Sequence, residues 1–271
     1  MSLRFHSIGF SYIVDSIGCC QSPRRARVVF HAWFYLIIFG VNGYMAVNSE
    51  TRDIAARIFN AIMGTAILFD VPASVVRESE LDDVNIERDS FRLVGRHYEM
   101  ETTRARSGDS PLEPFHFFIP HERKEISKEK LSSTIKKAEK IYQDKEKAEQ
   151  LDFLLEANTH LANSEYAQAF TMSWIVIERF LFSLWQHRLE QRKVSGSRKA
   201  KLENPARWSV DYLETLSLNG VLKEKEYRLL DKLRRIRNGF IHKGKPISED
   251  ASQQCVNYGF DVVRATLVDL L

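Results

Sequence analysis

The spacing of apolar residues changes character partway along the chain. Residues 3–14, LRFHSIGFSYIV, and residues 28–47, VVFHAWFYLIIFGVNGYMAV, are rich in β-branched and aromatic side chains, the composition of strands buried in a sheet. From Thr51 to Phe69 the apolar positions Ile54, Ile58, Ile62, Ala66 and Phe69 step at helical spacing, and Pro72 marks the stop. Phe91–Met100 reads as a further strand, and Thr102–Pro114, TTRARSGDSPLEP, as an exposed linker or insertion. From Ser127 onward the texture is helical. Ser127–Gln150 is Lys/Glu-rich and free of Gly and Pro, Ser127 stands where a helix would start, and the helical run continues through Leu151–Leu161.

A second long helix is predicted from Glu165 to Lys193, with Ala169, Met172, Ile175, Val176, Phe180, Leu184 and Leu189 as its broad apolar stripe. Val194–Pro205, VSGSRKAKLENP, reads as a basic mobile loop. A shorter helix covers Ala206–Ser217, with Trp208 and Leu213 as core, and Asn219–Gly220 ends it. The next helix, Lys223 to Ile241, places Tyr227, Leu230, Leu233 and Ile236 on one face. Lys245–Pro246 breaks it, and Ser248 caps a last helix through Val256, Phe260, Val263 and Leu267. These patterns give an α+β domain over residues 1–126, followed by an all-α bundle over 127–271.

Composition narrows the classes. Of 271 residues 44% are hydrophobic, enough for a core and too many for a disordered chain. The net charge of +3 is small, but it is unevenly spread. Arg179–Arg207 holds eight basic residues against Glu190 and Glu203, and Lys223–Lys245 holds nine against three acids. Such a bias suits a polyanion, or is simply a solvated helix surface. Cys19, Cys20 and Cys255 form neither a disulfide framework nor a zinc spacing, so a reducing, cytoplasmic compartment is expected. Residues 28–47 have the length and the flanking Arg24, Arg25 and Arg27 of a membrane anchor. His31, Asn42, Gly40 and Gly43 interrupt them and favour buried strands instead.

The most chemically loaded segment is RNGFIH, Arg237–His242. It offers a guanidinium that grips phosphate, a carboxamide, and an imidazole that moves protons near neutral pH. Asn238 and His242 lie about 40° apart on a helix and share a face; Arg237 and His242 lie about 140° apart. The two ends of the motif would therefore meet by a reach of the arginine, or across a two-fold axis between two copies. Glu178, an acid inside an apolar helix, needs a partner, either a structural cation or Arg237. No Walker-type loop, GxGxxG or GxSxG pattern is present, and the seven other histidines are scattered.

The Arg–Asn–x3–His pattern resembles the signature of HEPN domains. The phrase LDKLRRIRNGFIHKGKPIS and the order of helices are similar to that family over residues 127–271. Glu178 in SWIVIERF resembles an acid that the family often carries on an earlier helix. The resemblance implies a helical bundle that pairs as a homodimer, with two motifs forming one cleft. It also implies a metal- and cofactor-independent endoribonuclease, acting in prokaryotic antiviral defence or toxin–antitoxin control. In that chemistry the RNA 2′-hydroxyl attacks its own phosphorus, leaving a 2′,3′-cyclic phosphate and a 5′-hydroxyl. His242 would be acid or base, Arg237 would stabilise the phosphoryl charge, Asn238 would hold His242 or the phosphate, and Glu178 would orient Arg237. Arg234, Arg235 and Lys243 are expected on the RNA backbone or as plain surface charge. The His–x–Tyr control site of some family toxins is absent, since Lys243 and Gly244 follow His242. Two other readings stand beside this one: a helix end with His242 as a cap and Arg237 in a salt bridge, and a HEPN-like module that binds RNA, nucleotide or protein without cleaving. Residues 1–126 resemble nothing identifiable; a sensor or regulatory domain, answering a trigger or partner, would fit a nuclease that must be restrained.

Overall fold

The computed structural model describes residues 5–9, 12–14, 27–32, 35–40, 44–69, 71, 73–87, 90–93, 124–203 and 210–267. Cys19–Cys20, Thr102–Pro114, Trp208 and the far part of the strand expected at Phe91–Met100 lie outside them. The described residues are mostly helical, and the chain divides into two compact units, 1–155 with 267–271, and 156–266. The division falls about thirty residues later than the expected boundary at 126/127, and it falls within a helix.

In the first unit six strands form one antiparallel sheet. They are β1 (Phe5–Gly9), β3 (Arg27–Ala32), β4 (Tyr35–Gly40), β5 (Tyr44–Asn48), β6 (Asp82–Glu87) and β7 (Ser90–Leu93), in the order β3-β4-β5-β1-β6-β7. A separate parallel pair joins β2 (Tyr12–Val14) to β8 (Lys124–Ile126). The apolar run 28–47 is thus resolved into strands, and no described helix is long and apolar enough to cross a membrane. Met45, Ala46 and Val47 of β5 are all fully buried. Successive strand residues face opposite ways, so both faces of β5 are covered there.

Helix α1 (Arg52–Ile67) starts where Thr51 Oγ1 accepts the Ile54 amide at 3.3 Å. Its burial is wider than the predicted stripe: Ala55, Phe59, Ala61 and Met63 are covered along with Ile58, Ile62 and Ala66. Asn60 fastens the following segment, donating Nδ2 to the Val76 carbonyl at 3.0 Å and accepting the Val76 amide at 2.6 Å. Helix α2 (Lys128–Tyr142), capped by Ser127 Oγ on the Lys130 amide at 3.1 Å, packs on α1. That packing explains the late division. Leu131, Ile135, Ala138 and Ile141 bury their stripe in the first unit, and Lys137 lies 4.3 Å above the Phe69 ring. Helix α3 (Lys145–Ala162) follows after a break at Gln143–Asp144, and Leu151 presses against Gly64 of α1.

The second unit is built on α4 (Tyr166–Gln191), which packs along the last helix, α8 (Glu249–Thr266). Between them in sequence lie α5 (Gly196–Leu202), α6 (Val210–Leu218) and α7 (Glu224–Lys243). One apolar core is buried between them: Phe170, Trp174 and Ile177 from α4, Leu216 from α6, Leu230 and Leu233 from α7, and Cys255 from α8, with Leu202 of α5 packed against it. The segment expected to be a mobile loop holds α5. Trp185 Nε1 and the Tyr212 hydroxyl both donate to the Leu202 carbonyl, at 3.1 and 2.6 Å, and Lys199 reaches Glu190 at 3.1 Å. These anchors hold a short basic turn as a helix, which its Ser/Gly/Lys composition alone does not announce.

Candidate functional site

Helix α7 sets the geometry of the RNGFIH segment. Its first turn is closed by Glu226 Oε2, which accepts the Lys223 amide at 2.9 Å. Its last turn is closed by Gly244 in the left-handed region at φ 60, with its amide on the Phe240 carbonyl at 3.0 Å and the Lys245 amide on the Gly239 carbonyl at 3.2 Å. These bonds satisfy carbonyls that a helix end otherwise leaves open. The helix runs unbroken through Lys243, so the angles expected for a regular helix apply through the motif.

That regularity separates the guanidinium from the imidazole. Arg237 lies seven residues after Leu230, almost in line with it on the inward face, whereas His242 is turned about 140° away. Leu230 and Leu233 are fully buried, Arg237 is one-third exposed, and His242 is exposed. Arg237 Nη2 sits 4.0 Å from Glu178 Oε1 on α4, and its Nη1 donates to Asn238 Oδ1 at 3.3 Å. Glu178, the acid set inside the apolar stretch of α4, thus has the arginine as its neighbour. An ion pair at that distance with both partners partly wet contributes at most about 1 kcal/mol. It steadies the guanidinium and leaves most of its five donors free for a ligand.

Asn238 does not hold His242: its carbonyl oxygen faces the Arg237 guanidinium instead. Among the described residues His242 makes no hydrogen bond or ion pair, and nothing joins it to Arg237 within one chain. The neighbouring Ile241 is half-exposed, one of two large apolar side chains left in water among the described residues.

Arg234 and Arg235, expected on the RNA backbone, share one carboxylate. Asp231 Oδ1 accepts Arg234 Nε and Nη2 at 3.2 and 2.7 Å, and Asp231 Oδ2 meets Arg235 Nη2 at 2.6 Å. Arg234 is 13% exposed and Arg235 74%. Arg234 is therefore a structural cation, its planar fork closed on a half-buried acid. Arg235 and Lys243 remain on the surface. Burial pushes the Asp231 carboxyl up, but the bonds from the two arginines outweigh it and hold the group below its ordinary value. Asp231 organises this stretch of α7, and sequence reasoning passed over it. Its spacing of three and four residues to the two arginines is the signal that could have found it.

Comparison with protein-family models, with curated proteins and with solved structures found no match to this chain.

Proposed function

We propose that the chain is a metal-independent, HEPN-type endoribonuclease whose site is completed by a second copy, so that His242 of one protomer works beside Arg237 of the other. The observation that carries this reading is the state of the two groups. Arg237 is steadied by Glu178 and Asn238 yet still one-third open, and His242 is exposed with no partner among the described residues. A structural salt bridge would close the first, and a helix cap would occupy the second. Their angular separation on one continuous helix fits a composite site better than a site within one chain. The exposed Ile241 beside His242 gives such a pairing an apolar contact.

In the proposed reaction His242 takes the proton of an RNA 2′-hydroxyl as its oxygen attacks the adjacent phosphorus. The bond from phosphorus to the 5′ oxygen breaks, and the leaving oxygen receives a proton from the imidazolium of the paired site. Arg237 stabilises charge growing on the phosphoryl oxygens. Need for the 2′-hydroxyl makes the activity specific to RNA. A cytoplasmic role in antiviral defence or toxin–antitoxin control, with residues 1–126 answering a trigger, completes the proposal.

The test is purified protein with RNA in excess EDTA, with products identified chemically. A 2′,3′-cyclic phosphate and 5′-hydroxyl are expected, with a loss of about 100-fold or more in His242→Ala and in Arg237→Ala. Mixing those two variants should restore part of the rate if the site is shared. Undiminished cleavage by His242→Ala would sink the proposal. A second reading, an RNA-binding module without cleavage, is favoured by the absence, among the described residues, of any group orienting His242. Tight binding with no product in the same assay would select it.

A further inference from the structure

We propose that the α4–α5 corner is a second polyanion-binding surface of this chain, made by Arg192, Lys193, Arg198 and Lys201 and fitted to the phosphate backbone of RNA; the choice of RNA rests on the functional reading above. The corner is built. Lys193 takes a left-handed turn at φ 49, and α5 follows, fixed at its far end by Trp185 and Tyr212 on the Leu202 carbonyl. The acids of the segment are used up by one side chain. Lys199 sits 3.1 Å from Glu190 and 3.8 Å from Glu203. Arg188 turns away to Gln191 and Asn219. Arg192, Lys193, Arg198 and Lys201 are all exposed, and among the described residues their side chains meet no acid.

Four uncancelled charges on a fixed turn make a field that attracts polyanions. Arg198 and Lys201 are three apart on α5 and so neighbours on one face, roughly 5–6 Å apart at Cβ. The apolar residues of the corner, Val194 and Leu202, pack inward on the core and offer nothing to insert into a bilayer. This favours a phosphate backbone over a membrane surface. Arg192, the residue that caps α4, lies fourteen residues beyond Glu178, about 21 Å along the helix axis. A strand touching both the corner and Arg237 must therefore span several nucleotides, and a dinucleotide cannot.

The experiment measures binding of fluorescein-labelled single-stranded RNA of about thirty nucleotides to the full chain, in a His242→Ala background so that RNA survives. The fourfold reversal Arg192→Glu, Lys193→Glu, Arg198→Glu, Lys201→Glu should weaken binding at low salt by about tenfold or more. It should also flatten the slope of log K against log salt by about 3, at about 0.7 per lost phosphate contact. The milder pair Arg198→Ala, Lys201→Ala should flatten it by about 1.4. Exchanging Arg192 and Arg198 for lysine should leave the slope in place. Unchanged affinity and slope in variants with wild-type circular dichroism would overturn the proposal. So would loss of binding to phosphatidylserine vesicles with RNA binding intact. A chain that binds RNA through these four residues and yields no cyclic phosphate sinks the nuclease reading and leaves this one standing. Cleavage of long RNA that the reversal does not touch does the opposite.

Discussion

Removing the Asp231 carboxylate should destabilise the 156–266 unit by about 2 kcal/mol, and the loss should run through Arg234 far more than through Arg235. Breaking a fully buried ion pair from one side costs about 3–5 kcal/mol, and an exposed pair is worth about 0–1. Asp231 and Arg234 are 16% and 13% exposed and share a two-pronged contact, which places them between those limits. Arg235 is 74% exposed, so its link to the same acid belongs to the weak class. The assay is urea unfolding of Asp231→Ala, Arg234→Ala, Arg235→Ala and the two double variants. A coupling of about 1–3 kcal/mol is expected for 231 with 234, and below about 0.5 for 231 with 235. The pH dependence has a definite sign. The folded carboxyl sits below its unfolded value, because bonds from Arg234 and Arg235 outweigh the opposing effect of burial. Its stabilisation is therefore complete above about pH 4 and disappears as pH falls through the lower folded value. Asp231→Asn should flatten that acid limb. A neutral Asp231→Ala, or equal coupling to both arginines, would refute the assignment of Arg234 as structural. It would also return Arg234 to the set of residues expected on RNA.

Three further outcomes follow from the packing. Gly64→Ala would put a Cβ 2.9 Å from Leu151 Cγ, a fully buried side chain, so thermal unfolding should show a loss of about 1–3 kcal/mol. Gly244→Ala, forced to φ 60 with open space around the new methyl, should cost about 1 kcal/mol from backbone strain alone, and Gly244→Asn less; calorimetry of the two separates strain from crowding. Burial pushes the Cys255 thiol up, so peptide-resolved alkylation at pH 8 should label it only after denaturation; labelling in the native protein at the rate of a free thiol would contradict its place in the core.

The helices 128–142, 210–218, 224–243 and 249–266 were legible because they carry punctuation as well as a stripe. Ser127 and Ser248 cap, Gly220 and Gly244 terminate in the left-handed region, and Leu230 and Leu233 fall on the inward face. The strands of residues 28–47 were legible from composition, whereas their order in the sheet was not, because register depends on partners distant in sequence. The short helix 196–202 was missed because a seven-residue helix owes its form to anchors such as Trp185 and Tyr212, which no local pattern displays. The packing of the helix 128–142 is not displayed by local pattern for a similar reason: its charged sequence looks like the start of a bundle, yet its buried stripe is matched to α1. At the candidate site the residue types could be read from the motif. Whether Asn238 turns to Arg237 or to His242 is a choice of rotamer that sequence does not encode.

The glycine that closes α7 has a consequence for the histidine two residues before it. The turn bearing His242 is the last of its helix, where opening to solvent costs least, while Arg237 sits more than a turn deeper, beside Glu178. The carbonyl tethers made by Gly244 and Lys245 act as a latch on that turn alone. Releasing the latch would let the imbedded guanidinium stay put while the imidazole swings, so the distance between them is governed by fraying at one helix tip. Amide exchange should record this as a steep gradient, with Ile241, His242 and Lys243 exchanging far faster than Leu230 and Leu233.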